Sequence, residues 1–442
     1  MINILFFLDI LLGTFLIFLG FYINLDVYIY LITFYWVYSL IFFPDKDNYL
    51  TFLYLFLFGL FFVLPAVFLG GGDFVGRGLL LHNISLESNE KIIFLIVIST
   101  FLVFFRLSTL SLPKARQQVL QLNQLKNKSL LYFLFFISFC WISLYNIREA
   151  MAVLEEGYLK LAAGELSMSK GLITLAVEQV FIALSILLIS SKNKAGLIFF
   201  LIYCLTLMLV GQRMPPLFLA FFALLYFQFL NGKRLNVVLL GVMAYVFLVP
   251  LIQLIAVLRT GNIGNFEFSD MGRFYIDIWN VVGHSSDTLK ASIVHDGTYN
   301  IIVSPFAQIF DILEVIMERL FGYESYELGN GFAVEFTKAY QPNLYELGVT
   351  FASSSIAEAY YFGGIVLVAI LGLLTPFIST YLERSMKTQN LFYLAIFFIF
   401  APRFFTSIRN EMIGWAISGI IYLLILIPFL YFVYRLFLSR RA

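Results

Sequence analysis

Four arginines and a glutamate mark the places where this chain can do chemistry. Arg213 sits in the turn Gly211-Gln212-Arg213-Met214-Pro215-Pro216, and Arg259 closes an apolar run. Arg403 follows Pro402 near the end of another run, and Arg409 and Glu411 lie just beyond it. Glu358 opens a further run in Ser353-Ser354-Ser355-Ile356-Ala357-Glu358-Ala359-Tyr360-Tyr361-Phe362-Gly363-Gly364. Guanidinium groups present planar forks that match phosphate oxygens and stay charged when partly desolvated. A set of them suits a leaving diphosphate, whose negative charge grows in the transition state. Many sugar transferases meet that charge with a divalent metal. On the face read below as extracytoplasmic, no aspartate pair stands at metal-ligand spacing, since Asp270, Asp277, Asp287 and Asp296 are dispersed. Arginines would then replace the metal, and no cofactor is expected. The acceptor hydroxyl needs a base, for which Glu358 and His284 are the candidates. Arg273, Tyr360, Tyr361 and Glu411 are the expected sugar contacts.

Each residue also has a structural reading. An arginine at the end of a span can snorkel to headgroups, and Glu358 can be the structural partner of an arginine. Four arginines at one depth favour a site. His284-Ser285-Ser286-Asp287 has the residue types of a hydrolase triad, but adjacent residues cannot form one by themselves, so a hydrogen-bonded loop is favoured. His82 and His295 carry weaker signals. Asp9, Arg106 and Glu178 lie within or near apolar runs, where charges are functional candidates by default. Asp9 and Arg106, toward the cytoplasmic half, can instead pair or snorkel.

The elements that must position these side chains are membrane spans. Of 442 residues, 61% are hydrophobic and 12% charged, with 52 Phe and a mean hydropathy of +0.91. Soluble globular domains do not have that composition. A span needs roughly twenty mostly apolar residues. The sequence predicts twelve: 3–21, 24–43, 49–69, 91–112, 129–149, 171–191, 195–211, 214–231, 236–258, 356–382, 389–408 and 412–437. Pro402 is expected to break the eleventh. A net charge of +1 and the lack of a basic run with interleaved aromatics set nucleic-acid binding aside. Cys140 and Cys204 both fall inside apolar runs, which argues against a disulfide framework. The first run has no Lys or Arg ahead of it and no small-residue cleavage site after it, so it is read as a span.

Lysines and arginines of the short loops orient the spans. Lys46, Lys114, Arg116, Lys126, Lys128, Lys192, Lys194, Lys233, Arg234, Arg384, Lys387, Arg435, Arg440 and Arg441 all fall on one side, which the positive-inside rule makes cytoplasmic. Both termini are then inside. The whole chain, 1–442, forms one transmembrane domain, and 259–350 is an extracytoplasmic loop between the ninth and tenth spans. That loop carries five Lys/Arg against twelve Asp/Glu, so its arginines are not part of a basic coating. Within it, Ser304-Pro305 and the apolar residues from Phe306 to Leu320 predict an amphipathic helix stopping at Gly322. A second helical piece is expected from near Asp270 to Gly283.

Three features together resemble the Wzy-type polymerases of bacterial O-antigen and capsule repeat units. They are the Gly-Gln-Arg turn between two short spans, the large outer segment before the third-last span, and the stretch from Ser353 to Gly364. That family typically has a small-x-Arg turn at the outer face, matched by Gly211 to Arg213. It also has a Ser-rich, Glu-Tyr-Tyr-x-x-Gly-like stretch entering a late span. Here Ala359 separates Glu358 from Tyr360, a departure from that pattern. The likeness in architecture covers the whole chain, whereas the motifs cover only the two stretches.

The resemblance implies an all-α, polytopic, GT-C-like membrane glycosyltransferase, similar to O-antigen ligases and the shape-elongation peptidoglycan polymerases. It implies a metal-independent, inverting en bloc transfer. A growing glycan on undecaprenyl pyrophosphate would pass to the sugar of a newly flipped lipid-linked repeat unit. Arg213 carries over as a pyrophosphate contact, while Arg259, Arg403, Arg409 and Glu358 rest mainly on shared depth. The implied setting is the bacterial inner membrane, with chemistry on the extracytoplasmic face. A chain-length regulator and a flippase are the implied protein partners. A lipid-oligosaccharide flippase is the main alternative outside enzymes, but flippases generally show internal repeats and a charged central cavity. This sequence has neither. An O-antigen ligase shares the arginine logic and is the nearest alternative among enzymes, while a scaffolding protein leaves the outer arginines unexplained.

Overall fold

The computed structural model describes residues 2–43, 48–64, 67, 86–112, 125–156, 172–210, 214–232, 287–295, 301, 331–346, 353–388, 390–408 and 412–438. Among these residues the fold is all-helical, with one isolated bridge between Leu125 and Leu438 and no strand. Eleven of the twelve predicted spans carry a helix. They are α1 (Ile2–Leu19), α2 (Leu25–Ile41), α3 (Tyr49–Phe58, continued by a π turn over Gly59–Val63) and α4 (Ser88–Ser111). Next come α5 (Lys128–Glu156), α6 (Leu172–Ser190), α7 (Lys194–Val210) and α8 (Met214–Leu230). Between α8 and the next long helix come α9 (Asp287–Val294), α10 (Phe332–Tyr340) and α11 (Pro342–Glu346), and then α12 (Ser355–Lys387), α13 (Leu391–Thr406) and α14 (Met412–Phe437). The predicted span 236–258 and both helices predicted within 270–322 lie outside the described residues. Helices α4, α5, α6, α12 and α14 are long and apolar enough to cross a membrane, and six shorter apolar helices run for 10–17 residues.

Polar residues at the ends of the apolar runs set the helix boundaries. Asn24, Ser354 and Asn390 accept the first free N–H groups of α2, α12 and α13. Glu87 and Glu90 form a reciprocal capping box on α4. Along the helices, large apolar side chains such as Phe7, Phe34, Phe133, Leu144 and Val366 stay exposed. In water that surface would be a liability, and in a bilayer it is the lipid-facing perimeter.

Helices α3 and α4 pack along the long α12, with α1 and α2 packed on α4, and α5 to α8 gather with α13 and α14; α12 and α13 join the two groups. Lipid tails are as apolar as Leu, so the packing between helices depends on close van der Waals fit and internal hydrogen bonds. Tyr54, Phe58, Phe101, Phe105, Phe404 and Phe405 supply the fit where α3, α4 and α13 meet. Buried polar contacts supply the bonds. Arg106 Nε donates to Asp9 Oδ2 at 3.3 Å with both side chains almost wholly buried, and Nη1 reaches the Ser39 carbonyl at 3.5 Å. The pairing alternative raised for Asp9 and Arg106 is the one realised, tying α1, α2 and α4 together. At the far end of α12, Glu383 accepts Lys387 Nζ at 2.7 Å and the Leu50 N–H at 3.0 Å, capping the start of α3.

Two helix interiors depart from the sequence reading. The tenth span reads as one continuous run, but α12 breaks into 355–362 and 365–387 at Gly363 (φ −154°, ψ 18°) and Gly364 (φ +59°, ψ −152°). The Gly364 conformation is essentially closed to residues with a Cβ. In contrast, Pro402 does not end the eleventh span, because α13 continues through it to Thr406. Side chains add bonds around the proline: Thr406 Oγ1 donates to the Pro402 carbonyl at 2.9 Å, and Arg403 Nη1 to the Ile399 carbonyl, one residue past the carbonyl that faces the proline, at 2.8 Å.

Candidate functional site

Four helix ends meet at one end of the bundle. The Ser355 N–H at the start of α12 donates to the Ser407 carbonyl just past α13, at 2.8 Å. Glu358 Oε2 accepts the N–H groups of Met412 at 2.7 Å and Ile413 at 3.3 Å, the first two residues of α14. Phe218, in the first turns of α8, lies 6.0 Å from Phe405 in the last turn of α13. Glu358 is therefore a buried carboxylate on the N-terminus of a helix more than fifty residues away. That position satisfies N–H groups that have no intrahelical partner and opposes the positive end of the helix dipole.

Arg403 is held inside this end of the bundle, between α13 and α14. Its guanidinium carbon stands 4.6 Å from the centre of the Tyr422 ring, its Nε reaches Ser418 Oγ at 3.4 Å, and its Nη1 turns back to the Ile399 carbonyl. An arginine has five N–H donors. Two are used in this way, which leaves three without an acceptor among the described residues. A half-buried guanidinium in that state can take an anion through a pair of parallel hydrogen bonds.

The tyrosines expected at sugar are placed differently from one another. Tyr361 donates to the Ile301 carbonyl at 3.1 Å and packs against Phe332, Phe336 and His295 at ring separations of 5.4, 5.2 and 6.1 Å. It thereby helps dock α9 and α10 onto the N-terminal part of α12. Tyr360 is half-buried beside it. Helix α9 also carries Lys290, only 5% exposed, against α4 and α12. Sequence reasoning passed over Lys290, whose only signal is a cation in a short helix of a segment otherwise rich in acid. It likewise passed over Ser418 and Tyr422, which are polar groups one turn apart within an apolar run.

Arg213, Arg259, Arg273, His284, Arg409 and Glu411 lie outside the described residues, as does His82. Their described neighbours, Met214 at the start of α8 and Ser407 and Met412 around 409–411, belong to the end of the bundle that holds Glu358 and Arg403. Glu178, the remaining intramembrane acid, accepts Tyr203 Oη at 2.5 Å between α6 and α7. Among the described residues no three His, Cys, Asp or Glu side chains are grouped to hold a metal ion.

A family model described as O-antigen polysaccharide polymerase Wzy matches residues 1–441 of this chain. No curated protein and no solved structure matches it.

Proposed function

The chain belongs to the Wzy family of O-antigen polysaccharide polymerases, an integral inner-membrane glycosyltransferase-type polymerase acting on lipid-linked repeat units, and from that premise we propose how it carries out the transfer. The growing glycan, held on undecaprenyl pyrophosphate, is the donor, and a new lipid-linked repeat unit is the acceptor. The acceptor hydroxyl attacks the anomeric carbon of the donor's reducing-end sugar from the face opposite the pyrophosphate. The C1–O bond to phosphate breaks, the pyrophosphate leaves with the electron pair, and the configuration at C1 inverts. His284 or Glu358 takes the hydroxyl proton.

Arg213, Arg259, Arg403 and Arg409 receive the charge that builds on the pyrophosphate, with no divalent metal. Arg273, Tyr360, Tyr361 and Glu411 border the sugars. The reaction takes place on the extracytoplasmic face of a twelve-span bundle with both termini inside, and a flippase and a chain-length regulator act alongside. The observation that carries this reading is the arginine between α13 and α14 with three N–H donors that meet no acceptor among the described residues. Preorganised donors of this kind act most strongly where water is excluded.

The test is alanine substitution of Arg213, Arg259, Arg403 and Arg409 one at a time, with polymer length read on gels at matched protein level. Each substitution is expected to shorten or abolish the polymer, since loss of one preorganised donor costs about 10²–10³ in rate. Long polymer from Arg213→Ala or Arg403→Ala would remove that residue from the site.

A further inference from the structure

If Arg403 contacts pyrophosphate, as that reading has it, something must aim the guanidinium, and α14 supplies the means. We propose that Ser418, Gly419 and Tyr422 are positioning residues for Arg403, forming a cradle that presents its remaining N–H groups to the lipid-linked pyrophosphate. Spacing of four residues puts Ser418 and Tyr422 on one face of α14. The Tyr422 ring, 4.6 Å from the guanidinium carbon, fixes the plane of the group. Ser418 Oγ, 3.4 Å from Nε, and the Ile399 carbonyl, 2.8 Å from Nη1, fix its rotation within that plane. Gly419 provides the room. A Cβ there would lie 2.8 Å from Phe400 Cε1 and 3.2 Å from Arg403 Cδ, so it would displace the phenylalanine ring and press on the arginine stem.

Three constraints on one side chain are more than helix association needs. Arg403 already bonds its own helix through the Ile399 carbonyl, and an aromatic face is a poor substitute for a second acceptor. What the arrangement achieves is preorganisation. A free arginine stem samples many rotamers, and an anion that binds it must halt that motion; here the motion is already stopped. The cradle is registered to the rest of the site through Glu358, which ties the first turn of α14 to α12.

The test measures binding of radiolabelled undecaprenyl pyrophosphate to the purified full-length protein in detergent, with undecaprenyl monophosphate as comparison. Arg403→Ala is expected to weaken pyrophosphate binding by about tenfold or more, the scale of a charge-assisted contact. Tyr422→Leu, which leaves Arg403 present but unaimed, is expected to weaken it by about tenfold, and Ser418→Ala by about threefold. Tyr422→Phe keeps the ring face and is expected to recover most of the loss. Monophosphate binding should change less in every case. A purely structural Tyr422 would not make affinity follow the presence of a ring in this way.

If Arg403→Ala weakens binding while Tyr422→Leu binds like the parent, the cradle is wrong and the reading of Arg403 stands. If Arg403→Ala binds as tightly as the parent, the reading itself fails and the inference with it. If Tyr422→Leu does not fold, Ser418→Ala carries the same prediction, and unchanged binding there overturns the cradle.

Discussion

Glu358 has two possible duties, and substituting it separates them. In the structure its Oε2 caps α14 through the Met412 and Ile413 N–H groups, at 2.7 and 3.3 Å, with the side chain 3% exposed. Glu358→Gln keeps an oxygen acceptor but loses the charge. A hydrogen bond to a charged group is worth about 1.5–3 kcal/mol against about 1 for a neutral one. The carboxylate also gains about 0.3–1 kcal/mol from the helix dipole. Of the two bonds only the shorter has good length, so the local loss is about 1–2 kcal/mol. Glu358→Ala strands both N–H groups and loses about 3 kcal/mol. A tenfold change corresponds to about 1.4 kcal/mol, so amide exchange at the start of α14 should quicken about 5- to 30-fold in the Gln variant. In the Ala variant it should quicken roughly a hundredfold. Hydrogen–deuterium exchange read by mass spectrometry on a peptide spanning Met412 reports this directly. Unchanged exchange there in Glu358→Ala would refute the capping argument. Polymer assays on the same preparations complete the separation: a Gln variant with fast exchange but retained polymer leaves proton transfer to His284.

Two further predictions concern packing. Asp9→Leu alone leaves the Arg106 charge buried without its partner, so stability in a detergent-unfolding titration should fall by about 3–5 kcal/mol. Adding Arg106→Met should restore most of that, and a single variant as stable as the parent would contradict the pairing. Gly364→Ala should destabilise by about 1–3 kcal/mol through backbone strain alone, since nothing lies within 4 Å of the added methyl. An unchanged unfolding midpoint would mean that α12 does not break at that residue.

Most helices of the bundle could be read from composition, because a bilayer demands apolar runs of a fixed length and the capping residues Asn24, Glu87 and Asn390 stand at their ends. What escaped the sequence depends on tertiary context. The Gly363-Gly364 pair looked like the tail of a motif in a continuous helix, whereas it is a break; Pro402 looked like a break, and its helix continues. Local propensity encodes neither outcome. Glu358 was singled out for its place at a span end, but its partner is the start of another helix 54 residues on. Arg403 was found for its charge, while the Ser418 and Tyr422 that hold it are ordinary residues of an apolar run, meaningful only once α13 and α14 lie side by side.

The central claim is that this chain joins lipid-linked repeat units with arginines standing where a metal would. Purified protein in detergent, given a lipid-linked repeat unit and EDTA, tests it most directly, with products resolved on a gel. The account predicts a ladder of glycans spaced by one repeat unit, unaltered by chelation and lost in Arg403→Ala. A ladder that collapses with EDTA and returns with added divalent cation would contradict it. So would the absence of any ladder together with movement of the lipid-linked sugar across a proteoliposome bilayer.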